Sequence, residues 1–201
     1  MKYKTVVIDP PWPVVTTTKS IKNKRHNTLK PNPLSVMPFS TMTLDEIRQF
    51  PINDFADDES LLFLWVINSK CEDTPIIKFG FDLFDKWGFT YHQIITIEKR
   101  TGVPLRSPFL PMTEHCLVGY RGNFHSLTMN QYNKMRTIIK HNHVGLGHVA
   151  PHSQKPPLFY QLLRSWTPEP RIDIFARNAH DGFDGWGDEY VGEGPLQEFL
   201  E

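Results

Sequence analysis

The chain has 201 residues, and its 22 lysines and arginines balance 22 aspartates and glutamates, giving a formal net charge of zero. That length suits one domain with a sizeable core, and the neutrality excludes a protein that is basic all over. No apolar run is long enough to span a bilayer and MKYKTVVIDP has no signal-peptide core, while Cys71 and Cys116 match neither zinc nor disulfide spacing, so a cytoplasmic protein is expected.

In chain order, residues 4–8 (KTVVI) are β-branched and read as a short buried strand. Asp9 ends it, and Pro10-Pro11 form a rigid extended exit, since proline cannot donate to a ladder and disfavours helix before it. Residues 13–40 have no periodicity and read as a long loop. TLDEIRQF then opens a helix, with Thr43 and Glu46 at capping-box spacing. SLLFLWVIN (60–68) is apolar nearly throughout, as expected of a parallel strand covered on both faces. A helix follows, capped by Asp73 or Thr74, opened by Pro75 and stopped by Gly88. Strands are expected at 90–99 and 115–122, a helix over 152–166 entered through Ser153, and a last strand at 171–177. Strands alternating with helices predict a single α/β domain over 1–201 with a mostly parallel sheet. In such sheets ligands sit beyond the carboxyl ends of the strands. Two strand ends stand out: Asp9-Pro10-Pro11-Trp12 and the segment after DIFAR.

Charge is distributed unevenly. No acid lies between Pro10 and Leu44, where Lys19, Lys22, Lys24, Arg25 and Lys30 crowd together, and none lies between His115 and Pro168. A positive face on a neutral protein suits nucleic acid, so the five cations are candidate phosphate contacts. His141, His143, His148 and His152 lie close together but with no carboxylate or cysteine among them, so a basic loop is expected rather than a metal site.

The Asp9 corner suits one kind of chemistry. An amine conjugated to a ring, such as the exocyclic nitrogen of adenine, is a poor nucleophile because its lone pair is delocalised. A carboxylate and a backbone carbonyl accepting its two hydrogens return that lone pair to nitrogen, and fixed prolines keep the acceptors aimed. Trp12 offers a flat face on which a base can stack.

These residues resemble a known family. DPPW (9–12), FSTMTLDEI (39–47), LLFLWV (61–66), WGF (87–89), EHCLVGYRGN (114–123), HSQKPPLFYQLL (152–163) and DIFARNAHDGFDGWGDE (173–189) are similar, in order, to the landmarks of the MT-A70-like adenine N6-methyltransferases. The resemblance covers residues 4 to 190 and implies a Rossmann-like methyltransferase fold with a permuted motif order, the catalytic strand first and the cofactor strand last. It implies S-adenosylmethionine as cofactor and Asp9, Pro10, Pro11 and Trp12 as the catalytic motif. Lys155, near a helix start, is then expected to pair with the methionine carboxylate. Phe175 would contact the adenine of the cofactor, Arg177 and Asn178 its ribose and methionine ends, and Asp188 and Glu189 its ribose hydroxyls. Larger family members hold that adenine with residues upstream of the catalytic strand; here backbone near Ile8 and Asp173 is expected to serve. His180 does not align with the family's histidine. The expected substrate is DNA, with RNA and a non-catalytic nucleic-acid-binding partner subunit as alternatives, and a homodimer or partner subunit is allowed.

Overall fold

The computed structural model describes residues 1–13, 41–99, 112–127, 135–141, 155–187 and 190. Its strands are β1 (Tyr3–Ile8), β2 (Ala56–Val66), β3 (Lys70–Cys71), β4 (Thr74–Pro75), β5 (Thr90–Lys99), β6 (Thr113–Arg121), β7 (Ile138–His141), β8 (Arg171–Ile174) and β9 (Asp184–Trp186). The helices are α1 (Leu44–Gln49), α2 (Ile52–Phe55), α3 (Ile76–Trp87) and α4 (Pro157–Trp166).

Seven strands form one sheet in the order β7-β5-β6-β2-β1-β8-β9. The pairs β1–β2, β1–β8, β8–β9 and β5–β7 are parallel, and only β6 runs against its neighbours β2 and β5. The sheet is therefore mostly parallel, as the α/β reading requires, but β2 is parallel on one side only. Its apolar run reflects cover on both faces, which burial imposes whatever the direction of the neighbour.

Helices cover the two faces. Val6, Ile8, Leu62 and Leu64 point to the side packed by Ile47 of α1, Ile52 of α2, and Phe79 and Leu83 of α3. Val7, Leu61, Phe63 and Trp65 point to the other side, where Phe159, Tyr160 and Leu163 of α4 close the core. The period-2 alternation along β1 and β2 thus feeds two cores at once. Gly80 lets α3 lie close on the sheet, because a Cβ there would stand 2.8 Å from Leu117 and 2.9 Å from Val66.

The element ends follow local chemistry, with some differences from the sequence reading. The capping box of α1 forms: Glu46 N–H donates to Thr43 Oγ1 at 3.2 Å and Thr43 N–H donates to the Glu46 carboxylate at 2.7 Å. Gly88 ends α3 in the left-handed region at φ 74°. Neither Asp73 nor Thr74 caps α3; Pro75 precedes it without a side-chain cap, and β3 and β4 form a small hairpin there instead. α4 begins at Pro157 rather than near Ser153, since the proline pair 156–157 suits a first turn but not a helix interior. β8 ends at Ile174, because Phe175 turns to φ 63°, a left-handed conformation that breaks the ladder. β1 likewise stops at Ile8, one residue before Asp9.

Candidate active site

The site lies where the two strand ends meet. β1 and β8 are neighbours in parallel register, with Val7 paired to Asp173 and Ile8 to Ile174. The Asp9 N–H then donates to the Ile174 carbonyl at 3.3 Å, which holds the strand exit beside β8. Beyond it the chain turns sharply: the Trp12 N–H donates to the Pro10 carbonyl at 2.8 Å, and Met42 N–H donates to the Pro11 carbonyl at 3.0 Å. Each proline carbonyl so engaged keeps a second lone pair. The stiffness read from Pro10-Pro11 is thus reinforced by two backbone hydrogen bonds.

Asp9, Lys155, Glu114 and Asp173 form a charged cluster on the α4 side of the sheet. The Lys155 Nζ lies 2.9 Å from Asp9 Oδ2 and 3.7 Å from Glu114 Oε2, and its side chain is only 6% exposed. It also stands 4.7 Å from the centre of the Trp65 ring. Burial alone would push the lysine down, but Asp9 and Glu114 hold it above its ordinary value, so it carries a charge. Burial pushes the Asp9 carboxyl up, against the pull of Lys155 and with a further push from Glu114. Asp173 accepts a hydrogen bond from the Tyr160 hydroxyl at 2.8 Å. Burial raises it to about 7, with Tyr160 and Lys155 opposing and Asp9 reinforcing the rise. The His180 ring lies flat on Tyr160, with centroids 3.5 Å apart, and its Nε2 is 3.7 Å from Asp173 Oδ2. Burial lowers the His180 pKa, which favours the neutral ring.

Two roles expected from the sequence change here. Trp12 presents no open face: it is 4% exposed, donates its indole N–H to the Trp65 carbonyl at 3.2 Å and meets Phe79 edge-on. A large ring beside a strand end gains more from the core than from solvent. Lys155 turns to Asp9, not outward, because a buried ammonium needs its counter-charge within the protein. Phe175 packs against Phe50 and Trp186, with centroids 5.2 and 5.5 Å away. Trp186 joins this aromatic group at the end of β9 and also lies near Phe55. Arg177 is half-buried within electrostatic reach of Asp9, and Asn178 is exposed. Ile8 lies fully buried in the core, leaving only its backbone for a ligand. Asp188, Glu189 and the cations Lys19, Lys22, Lys24, Arg25 and Lys30 lie outside the described residues, as do His143, His148 and His152.

Sequence reasoning assigned no role to Glu114 or Tyr160. Glu114 had a signal, an acid opening an otherwise apolar strand, which only a buried counter-charge explains. Tyr160 had a weaker one, a hydroxyl on the buried face of an amphipathic helix.

Comparison with known proteins agrees with this arrangement. Residues 3–189 match the MT-A70 family. The chain belongs to the MT-A70 family. Similar proteins include "Type II methyltransferase M.MunI" of a Mycoplasma species, 26% identical over 194 residues, covering 92% of this chain and 77% of that protein. Human "N(6)-adenine-specific methyltransferase METTL4" is 28% identical over 196 residues, 94% of this chain and 38% of its own length. Human "N(6)-adenosine-methyltransferase catalytic subunit METTL3" is 28% identical over 188 residues, 88% of this chain and 26% of its own. The chain therefore spans most of the first MT-A70 relative and only a part of the other two. In this MT-A70 chain the motif strand β1 and the strand β8 lie side by side, as the permuted methyltransferase order implies.

Proposed function

We propose that this protein transfers a methyl group from S-adenosylmethionine to the N6 amine of adenine in nucleic acid, with DNA as the substrate. The observation that carries the reading is Asp9: a carboxylate at the carboxyl edge of a parallel sheet, on a backbone stiffened by two prolines and oriented by the Lys155 ammonium 2.9 Å away. Asp9 and a proline carbonyl would accept the two amine hydrogens, drawing the lone pair onto nitrogen as it attacks. Lys155 keeps the carboxylate aimed and opposes the upward push of burial on its pKa. The donor set suits the cofactor. Asp9, Glu114 and Asp173 outnumber the cations Lys155 and Arg177, which favours a ligand bearing positive charge, and S-adenosylmethionine supplies a sulfonium and an ammonium. When bound it provides the electrophilic methyl group. Arg177 and Asn178, at the exit of β8, are the groups proposed to hold its polar ends, and Asp188 and Glu189 its ribose.

The preference for DNA is supported by similarity to the type II methyltransferase, which this chain matches at 26% identity over 77% of that protein's length. The basic segments around Lys22 and Arg25 are proposed as its phosphate contacts. Incubation of matched DNA and RNA oligonucleotides with labelled cofactor, followed by nucleoside mass spectrometry, tests the reading. N6-methyladenine in DNA is the expected product; methyl label only in RNA would move the substrate, and none in either would remove the activity.

A further inference from the structure

We propose that Asp173 determines which form of the cofactor this protein holds, its carboxylate selecting the cationic sulfonium over the neutral thioether left after methyl transfer. The inference rests on the S-adenosylmethionine reading above and adds to it a residue that discriminates cofactor from by-product.

The geometry is specific. Asp173 sits at the carboxyl end of β8 on the α4 face, paired in register with Val7. Asp9 lies one strand over and two residues further on, so the two side chains share a face, and a methyl group reaching an amine held at Asp9 has its sulfur close to this edge. Among the described residues, the charged or titratable groups facing Asp173 come from three places. From α4 comes the Tyr160 hydroxyl, donating at 2.8 Å, and from the segment just before it comes Lys155. From the end of β1 comes Asp9, and from the segment after β8 comes His180, 3.7 Å away and neutral by preference. Lys155 is already committed, to Asp9 at 2.9 Å and Glu114 at 3.7 Å. Asp173 is thus a buried carboxyl whose nearest donor is a neutral hydroxyl.

Such a carboxyl is ionised at a cost that a ligand cation removes. With a value raised to about 7, it is mostly protonated at pH 6 and mostly ionised at pH 8. A cationic ligand pulls that value down, so binding releases a proton, and affinity scales with the ionised fraction. S-adenosylmethionine and S-adenosylhomocysteine carry the same ammonium and carboxylate and differ at sulfur by one positive charge. The pH dependence of binding should therefore be strong for the first and weak for the second.

Titration calorimetry of the whole chain with each compound, between pH 6 and 8 and in two buffers of different ionisation enthalpy, tests this. S-adenosylmethionine affinity should rise by roughly ten-fold across that range with net proton release near pH 7, and S-adenosylhomocysteine affinity should change by less than about three-fold. Asp173→Asn should flatten the first curve and narrow the gap between the compounds. Tyr160→Phe removes the hydroxyl that favours the carboxylate, so its curve should shift to higher pH. This second variant keeps the test decisive should Asp173→Asn fail to fold. His180→Gln should leave the wild-type dependence in place. A flat wild-type curve, equal slopes for the two compounds, or a dependence abolished by His180→Gln instead would overturn the inference while leaving the cofactor reading intact. Absence of binding by either compound at every pH would overturn both.

Discussion

Two cations are buried among the described residues, and they are satisfied in opposite ways. Arg171, at the amino end of β8, is 5% exposed and spends its guanidinium on neutral acceptors: the Thr167 hydroxyl at 3.2 Å, the Thr167 carbonyl at 2.6 Å and the Arg164 carbonyl at 3.0 Å. Its one carboxylate, Glu169 at 2.8 Å, is largely in solvent. Lys155, which precedes α4 and lies at the other end of the sheet, faces carboxylates that are themselves half-buried. A guanidinium wrapped in neutral oxygens locks a turn with its N–H donors. An ammonium among carboxylates leaves the cluster short of positive charge, an arrangement that costs stability and suits a site awaiting a cationic ligand. One end of β8 is built for folding and the other for chemistry.

Four experiments can break or sharpen that division. A large effect on stability should come from Trp12→Ala, which empties a core position beside Asp9 and should cost about 3–5 kcal/mol. If Trp12 served substrate alone, a thermal melt would show almost no change. Asp9→Asn keeps the shape of the site but removes its charge; Glu114 stays opposite Lys155, so the protein should fold while methyl transfer falls by on the order of 10²–10³. Turnover near that of the wild type, with a validated substrate, would remove Asp9 from the mechanism. Arg171→Leu should do the reverse, destabilising by roughly 1–3 kcal/mol for each buried acceptor left unpaired while turnover per folded molecule is kept. Loss of turnover without loss of stability would erase the contrast between the two ends.

The smallest effect is a slope. Asp173 is raised from 3.8 to about 7 on folding, so between these values the folded protein holds a proton that the unfolded chain has lost. Its contribution to stability therefore falls as pH rises through that window, by up to about 1.4 kcal/mol per pH unit. Denaturant titrations of the wild type and Asp173→Asn without ligand should differ in slope there, and parallel curves would show that Asp173 is ionised throughout.

Where local chemistry decides, the fold was legible in the sequence. β5 spans the ten residues expected from the sequence, the Thr43–Glu46 box caps α1, and Gly88 stops α3. Where partners decide, it was not. The polar start of β2, ADDE, extends the strand beyond its ladder with β6, which begins at Ser60, and meets β1 at Ala56. β7 and β9 are held by pairing with β5 and β8, and both fell in segments that read as loop or turn. The site divides in the same way. Asp9 was found because prolines mark it locally. The Lys155–Asp9 pair was missed, and Lys155 given to a ligand, because no sequence spacing relates residues brought together from opposite ends of the chain. The burial of Trp12 was missed for a similar reason: its acceptor is the Trp65 carbonyl on a strand two elements away.

The pairing of β1 with β8 also bears on how the molecule comes to exist. Thr5 aligns with Arg171 and Val7 with Asp173, so the two strands that carry the site are adjacent in space and almost as far apart along the chain as its length permits. Closing so long a loop comes late, after local helices and the β5–β6 hairpin have formed, and contacts of this range slow folding. On the ribosome, β1 emerges first and must wait with one edge bare until residue 171 has been made. A bare apolar edge recruits other strands. The site therefore cannot assemble before the segment through Ile174 has joined β1, so its appearance reports that this part of the sheet is complete.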